Sequence, residues 1–93
     1  MIRHVVMWEL HYAADAERFK AELMSCAALA PGTLSFVVGT RCEALPATCD
    51  VCLVADFADA AALRAYQEHP HHDEVGARLG PLRRLRHVLD FEL

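Results

Sequence analysis

Apolar residues recur at every second position in four stretches of the chain, and at every third or fourth position between them. In IRHVVMWEL, Ile2, His4, Val6, Trp8 and Leu10 fall on one face and Arg3, Val5, Met7 and Glu9 on the other, which predicts a strand. Both faces carry large apolar groups. From about Ala13 to Leu29 the period lengthens. Phe19, Leu23, Cys26, Ala27 and Ala30 form a stripe at helical spacing, Glu17, Arg18 and Glu22 fall largely off it, and Pro31-Gly32 stops the helix.

TLSFVVGT predicts a second strand, with Leu34, Phe36 and Val38 opposite Ser35, Val37 and Gly39. DVCLVADF predicts a third, with Val51, Leu53, Ala55 and Phe57 opposite Cys52 and Val54. Asp59 can cap a short helix that carries Leu63 and Tyr66 on one side. RLRHVLDFEL closes the chain as a fourth strand, in which Leu85, His87, Leu89 and Phe91 share a face. The order β-α-β-β-α-β, with an extra short helix after the second, predicts an α+β, ferredoxin-like fold: one four-stranded antiparallel sheet with helices on one face, a single domain over residues 1–93. Val5, Met7, Val37, Cys52, Val54 and Val88 are expected on the other face, where an apolar patch of that size marks an interface.

Between the two short helices lies AYQEHPHHDEV. The residue before a proline is driven out of the α region, so the first helix should end near Glu68 and a second begin at Pro70, running to Gly80-Pro81. On that second helix His72 shares a stripe with Val75 and Leu79, and His71 one with Glu74 and Arg78. His72 is therefore expected inward, His71 outward, and His69 at the break, tying the helix ends. A metal site is disfavoured, because neighbouring helical residues diverge by about 100°. A buried His72 bonded to a backbone carbonyl is one reading. The other is an acid-base site in which Tyr66, His72 and His4, the polar side chain on the Ile2, Val6 and Trp8 face, converge on one apolar cavity.

Charge and cysteine usage narrow the partners. The formal net charge is -4 and cationic residues are dispersed, so no nucleic-acid footprint is expected; the local cluster from Arg78 to Arg86 reads as solvated surface. The amino terminus lacks the long apolar segment of a signal peptide or membrane span, so a cytoplasmic protein with no membrane association is expected, and its cysteines should be thiols. Cys49 and Cys52 have C-x-x-C spacing but no second pair. Placed on a strand, they would point to opposite faces, against a metal or redox role.

Together MIRHVVMWEL, PGTLSFVVG, DVCLVADF, LRAYQEHPHH and VLDFEL resemble the stress-responsive A/B barrel (Dabb) family over nearly the whole chain, with Y-x-x-H-P-x-H at Tyr66 to His72 the most specific block. The resemblance implies a homodimer packed sheet to sheet as an α+β barrel. Its characterised enzymatic activity is polyketide cyclisation by intramolecular aldol condensation, without a cofactor or metal. In that pattern Tyr66 and His72 match the acid-base pair and His4 the histidine of the first strand, while Val51 stands where the cyclases have a further cavity histidine. The expected cavity, for a small apolar or aromatic ligand, is lined by Val6, Trp8, Val51, Leu53, His69, Val75 and Leu79. The alternative is a non-catalytic stress-responsive or interaction protein in which the tyrosine and histidines are structural. A relation to the cofactor-independent monooxygenases that share the barrel has no residue here to carry it.

Overall fold

The computed structural model describes residues 1–93, with β1 (Ile2–Leu10), α1 (Ala16–Met24), β2 (Thr33–Thr40), β3 (Val51–Phe57), α2 (Ala60–Glu68), α3 (Pro70–Leu79) and β4 (Arg83–Glu92). The sheet order is β2-β3-β1-β4 and all neighbours are antiparallel. This is the ferredoxin-like α+β fold. One hydrophobic core fills the space between the helices and the inner sheet face, joining Val6, Trp8, Leu53, Ala55 and Phe57 of the sheet to Phe19, Leu23, Leu63, Tyr66, Val75 and Leu79 of the helices. Phe19 is fully buried, edge-on to Trp8 with ring centroids 5.1 Å apart; burying such a ring stabilises the fold by about 2–3 kcal/mol. No helix is long and apolar enough to cross a membrane.

The first helix is shorter than its apolar stripe. Regular α structure stops at Met24, and Cys26 and Ala27 instead donate to the carbonyls of Leu23 and Met24 in tight turns. Ser25 explains the change: its hydroxyl donates to the Glu22 carbonyl at 2.6 Å, offering the backbone a local alternative to the helical ladder. The turns still bury Cys26 and Ala30, so the stripe is used although the helix is not continued.

The break between α2 and α3 follows the sequence closely. Asp59 caps α2 by accepting from the Ala62 N–H at 2.8 Å, and His69 takes an extended conformation before Pro70, the first residue of α3. The turn that leads into β2 is equally constrained. A Cβ on Gly32 would lie 2.5 Å from the Ala62 Cβ on α2, and the Gly32 carbonyl accepts from Ala58 N–H at 2.9 Å. Gly32→Ala should therefore cost about 1–3 kcal/mol, as overpacking does. Thermal unfolding would show it; an unchanged midpoint would mean that α2 can move away.

The outer sheet face carries cross-strand apolar rows. Val37, Val54, Val5 and Leu89 form one, and Gly39, Cys52, Met7 and His87 the next. Val88 does not belong here: β4 pairs it with Val6, on the helix side, so Leu85, Leu89 and Phe91 are the outer residues of that strand. In the single chain Val37 is 58% exposed, Leu89 64%, Met7 43% and Phe91 40%.

Candidate functional site

A cavity of about 110 Å³ opens between α2, α3 and the inner face of β1, β3 and β4. Val6, Trp8, Leu23, Leu53, Val75 and Leu79 form its apolar wall, and His4, Tyr66, His72, Arg83 and Arg86 its polar part, with Cys26 and Gly76 completing it.

Tyr66 sits at the centre. It is 1% exposed, and its ring meets Phe57 at 5.1 Å, Phe36 at 5.9 Å, His4 at 6.2 Å and His72 at 4.8 Å between centroids. That aromatic collar fixes the ring, and the hydroxyl, which makes no hydrogen bond within the chain, is not sealed off: the fully enclosed side-chain polar atom without a partner is Thr33 Oγ1. Burial, then the neighbouring Cys26 thiol, push its pKa well above the ordinary phenol value, against an opposing pull from Arg86. The hydroxyl is thus a proton-bearing donor throughout the accessible pH range.

His72, on the first turn of α3, is half-buried and likewise bonds to no protein group through its ring. Burial is the main cause lowering its pKa; His4 and Arg86 add to this, and the Asp73 carboxylate opposes it. The ring is accordingly a neutral base at pH 7. Because the folded-state value lies below the ordinary 6.5, His72 adds nothing to the pH dependence of stability above about 6.5. As pH falls from there through the folded value, the unfolded chain takes up the proton more readily and stability declines. A histidine-resolved NMR titration should place the His72 midpoint below 6.5; a midpoint above it would contradict the burial argument.

His4 completes the polar group. It is 2% exposed, and its Nδ1 faces the Asp90 carboxylate across the paired strands β1 and β4. An ionised carboxylate only accepts, so Nδ1 carries the hydrogen and Nε2 is left available to the cavity.

The other two histidines of the motif are occupied. His69 Nδ1 accepts from the His71 N–H at 3.0 Å, capping α3. His71 Nε2 lies 2.8 Å from the Ser25 hydroxyl at the end of α1, and its Nδ1 3.6 Å from Glu74. His71 is thus a bridge between helices rather than a free solvent-facing ring. No group of three or more His, Cys, Asp or Glu residues is arranged to hold a metal ion.

Two expected wall residues are absent from the lining. His69 turns its ring to the cap. Val51 is buried between Trp8 and Thr40 in the sheet and borders a separate hollow near Cys49 and Cys52. Those thiols share that hollow instead of pointing apart, because β3 starts at Val51 and Cys49 lies outside it. Burial, then proximity to Cys49, raise the Cys52 thiol pKa, opposite to the shift that makes a reactive thiolate.

Asp90, Arg83 and Arg86 were not anticipated as neighbours of the site: the two arginines are solvent-exposed, as expected of the cluster, but they also border the cavity mouth. The missing information was the register of β4 on β1, which sets Asp90 against His4 and Arg86 against Trp8.

Comparison with known proteins places these features in context. The description "Stress Responsive A/B Barrel Domain" matches residues 2–93. No curated protein matches the sequence. Among solved structures, a dimeric ferredoxin-like protein of unknown function from Thermobifida fusca superposes with a TM-score of 0.87 at 25% identity, over 99% of this chain and 90% of that one. A Dabb family protein from Mesorhizobium loti gives 0.81 at 24%, over 99% and 95%. SnoaB, a cofactor-independent oxygenase from Streptomyces nogalater, gives 0.79 at 17%, over 99% and 91%, a likeness of fold. With the match spanning all but the first residue, the chain belongs to the stress responsive A/B barrel domain family.

Proposed function

We propose that two copies of the chain pack through their outer sheet faces into an α+β barrel, and that each cavity binds a small organic molecule and moves a proton on it. The observation that carries the chemistry is that the Tyr66 hydroxyl and the His72 ring, both at the wall of an apolar cavity, have no hydrogen-bond partner within the chain. Both groups face the cavity and are open to whatever fills it, being neither enclosed in the core nor engaged by the chain, whereas His69 and His71, which do have partners, serve the fold. A purely structural role is thereby supported for that pair and not for Tyr66 and His72.

In this reading His72, held neutral by burial, removes a proton α to a carbonyl. Tyr66 donates a hydrogen bond to the carbonyl oxygen as enolate charge develops, and the low-dielectric wall strengthens that bond. His4, its tautomer set by Asp90, presents Nε2 as a second proton carrier. The enolate carbon can recover the proton or attack a second carbonyl of the same molecule, forming a carbon-carbon bond while the proton on His72 passes to the new alkoxide. This is the intramolecular aldol step of the cyclases that the sequence resembles, and it consumes no cofactor. Val51 in place of their further histidine limits the proposal to proton abstraction and enolate stabilisation as its core.

The test is enzyme-dependent exchange of α-protons for deuterium in a 1,3-diketone probe such as pentane-2,4-dione, followed by NMR in D2O. Saturable exchange above the buffer rate is expected. Exchange no faster than with an unrelated protein, together with no small molecule copurifying by mass spectrometry, would leave the cavity without a function.

A further inference from the structure

The proposed reaction leaves one part of the cavity wall without a task. Arg83 and Arg86 both line it, although residues three apart on a regular strand point to opposite faces. The register explains how both come to the same side. β4 pairs Leu85 with Glu9 but Arg83 with Leu10, so Arg84 is an extra residue in a β-bulge. A bulge of this kind re-aims side chains, and here it turns two guanidinium groups toward one opening. Arg84, the inserted residue, reaches Glu9 at 3.3 Å instead.

The charges around that opening are unbalanced. Arg3, Arg41, Arg78 and Arg84 each have a carboxylate within salt-bridge range; Arg83 and Arg86, like Arg18, Lys20 and Arg64, have none, but of these five cations only Arg83 and Arg86 line the cavity, at its solvent-exposed mouth. No aspartate or glutamate lines the cavity, and the nearby Asp90 is engaged by His4. A chain of net charge -4 thus presents two uncompensated cations beside an apolar chamber. The Tyr66 hydroxyl, on a side chain 1% exposed, is the independent sign that a polar ligand enters from this side.

We infer that the ligand of this cavity is a carboxylate: an apolar body lying against Val6, Leu53 and Val75, with its acid group held by Arg86 and, nearer the rim, Arg83. The inference rests on the proposed ligand-binding role of the cavity and names the substrate class. A guanidinium matches a carboxylate through two parallel N–H donors, and a singly charged planar group costs less to bring beside an apolar wall than a doubly charged phosphate. Arg86 stands opposite Trp8, and His4 lies four residues back along β1. Anchoring the acid at Arg86 therefore directs the far part of the molecule toward Tyr66, His72 and His4, so that the carbon to be deprotonated is held away from the charge that would bind it in the wrong orientation.

Matched probes that differ only in charge test this. Phenylacetate and phenylacetamide would be titrated into the intact protein, with the His4, Tyr66 and His72 ring signals followed by NMR, and benzylphosphonate included as a third arm. The carboxylate should bind at least about tenfold more tightly than the amide. Arg86→Gln should remove that preference while leaving amide affinity within about twofold; Arg83→Gln should reduce it less, and Arg84→Gln not at all. Circular dichroism checks that the variants, all on an exposed strand, remain folded. Equal affinity for acid and amide, or equal losses from Arg84→Gln and Arg86→Gln, overturns the inference but leaves the cavity a binding site. Preference for the phosphonate overturns it in favour of a phosphorylated ligand. If no probe shifts any of the ring signals, this inference and the proposed function fall together.

Discussion

Val54→Asp should convert the protein to a 10.3 kDa monomer at micromolar concentration. Val54 lies in the second position of the outer row Val37, Val54, Val5, Leu89, beside the row that carries Met7, which is 43% exposed in the single chain. A sheet with one wet face alternates apolar and polar residues; this one does not. A stable interface removes roughly 1,600 Å² of total surface from water, and a two-fold axis would bury the substituted residue twice. Each unpaired carboxylate carried into such an interface costs several kcal/mol, so association should weaken by roughly a thousandfold or more. Arg3 and Arg41, the arginines near this face, are already paired with Asp56 and Asp50 and offer little rescue. The cavity lies on the helix side of the sheet, away from the outer face that Val54 occupies, so the monomer should still bind ligand. Sedimentation showing an unchanged dimer would place the interface elsewhere.

His72→Ala should lower α-proton exchange by about 100-fold or more, the usual contribution of a general base. Tyr66→Phe should fall in a similar range, because one oxyanion donor is worth about 3 kcal/mol, while the retained ring keeps the aromatic collar of Phe36 and Phe57. His71→Ala should leave exchange within a few-fold of the wild type and act on stability instead, since it removes the contact to Ser25 that joins α3 to the end of α1. The net loss expected for such a hydrogen bond is about 1 kcal/mol. These variants separate chemistry from scaffolding. A His72→Ala protein with a lowered melting temperature and normal exchange would assign the ring to packing, and equal losses of exchange from His71→Ala and His72→Ala would deny the base its identity. Added EDTA should have no effect on this chemistry.

The pattern of apolar positions was enough to order the elements because each is signalled locally: period two in Ile2–Leu10, the cap at Asp59, the stop at His69-Pro70. Tyr66 and His72 could be oriented from helical spacing alone, since Leu63 and Val75 define the buried side of each helix. The features that escaped depend on which residues stand opposite each other in strands distant in sequence. Asp90 meets His4 across 86 positions, and nothing local to either announces the other. Val88 was misjudged for the same reason, its face being set by pairing with β1, and the same pairing brings the exposed Arg86 to the cavity mouth. Cys49 was misjudged by a strand boundary, as alternation says nothing of a residue that precedes the strand. Ser25 ended α1 through a side-chain bond that competes with the helix, an effect that periodicity does not register.

The stop at His69 and restart at Pro70 have a geometric consequence for the proposed site. Along one uninterrupted helix, residues six apart are rotated by about 240°, so Tyr66 and His72 would diverge by about 120° and also stand roughly 9 Å apart along the axis. With α2 ended and α3 begun on a new axis, the two rings stand 4.8 Å apart, edge to face. The two rings are neighbours here only because the polypeptide changes direction between them.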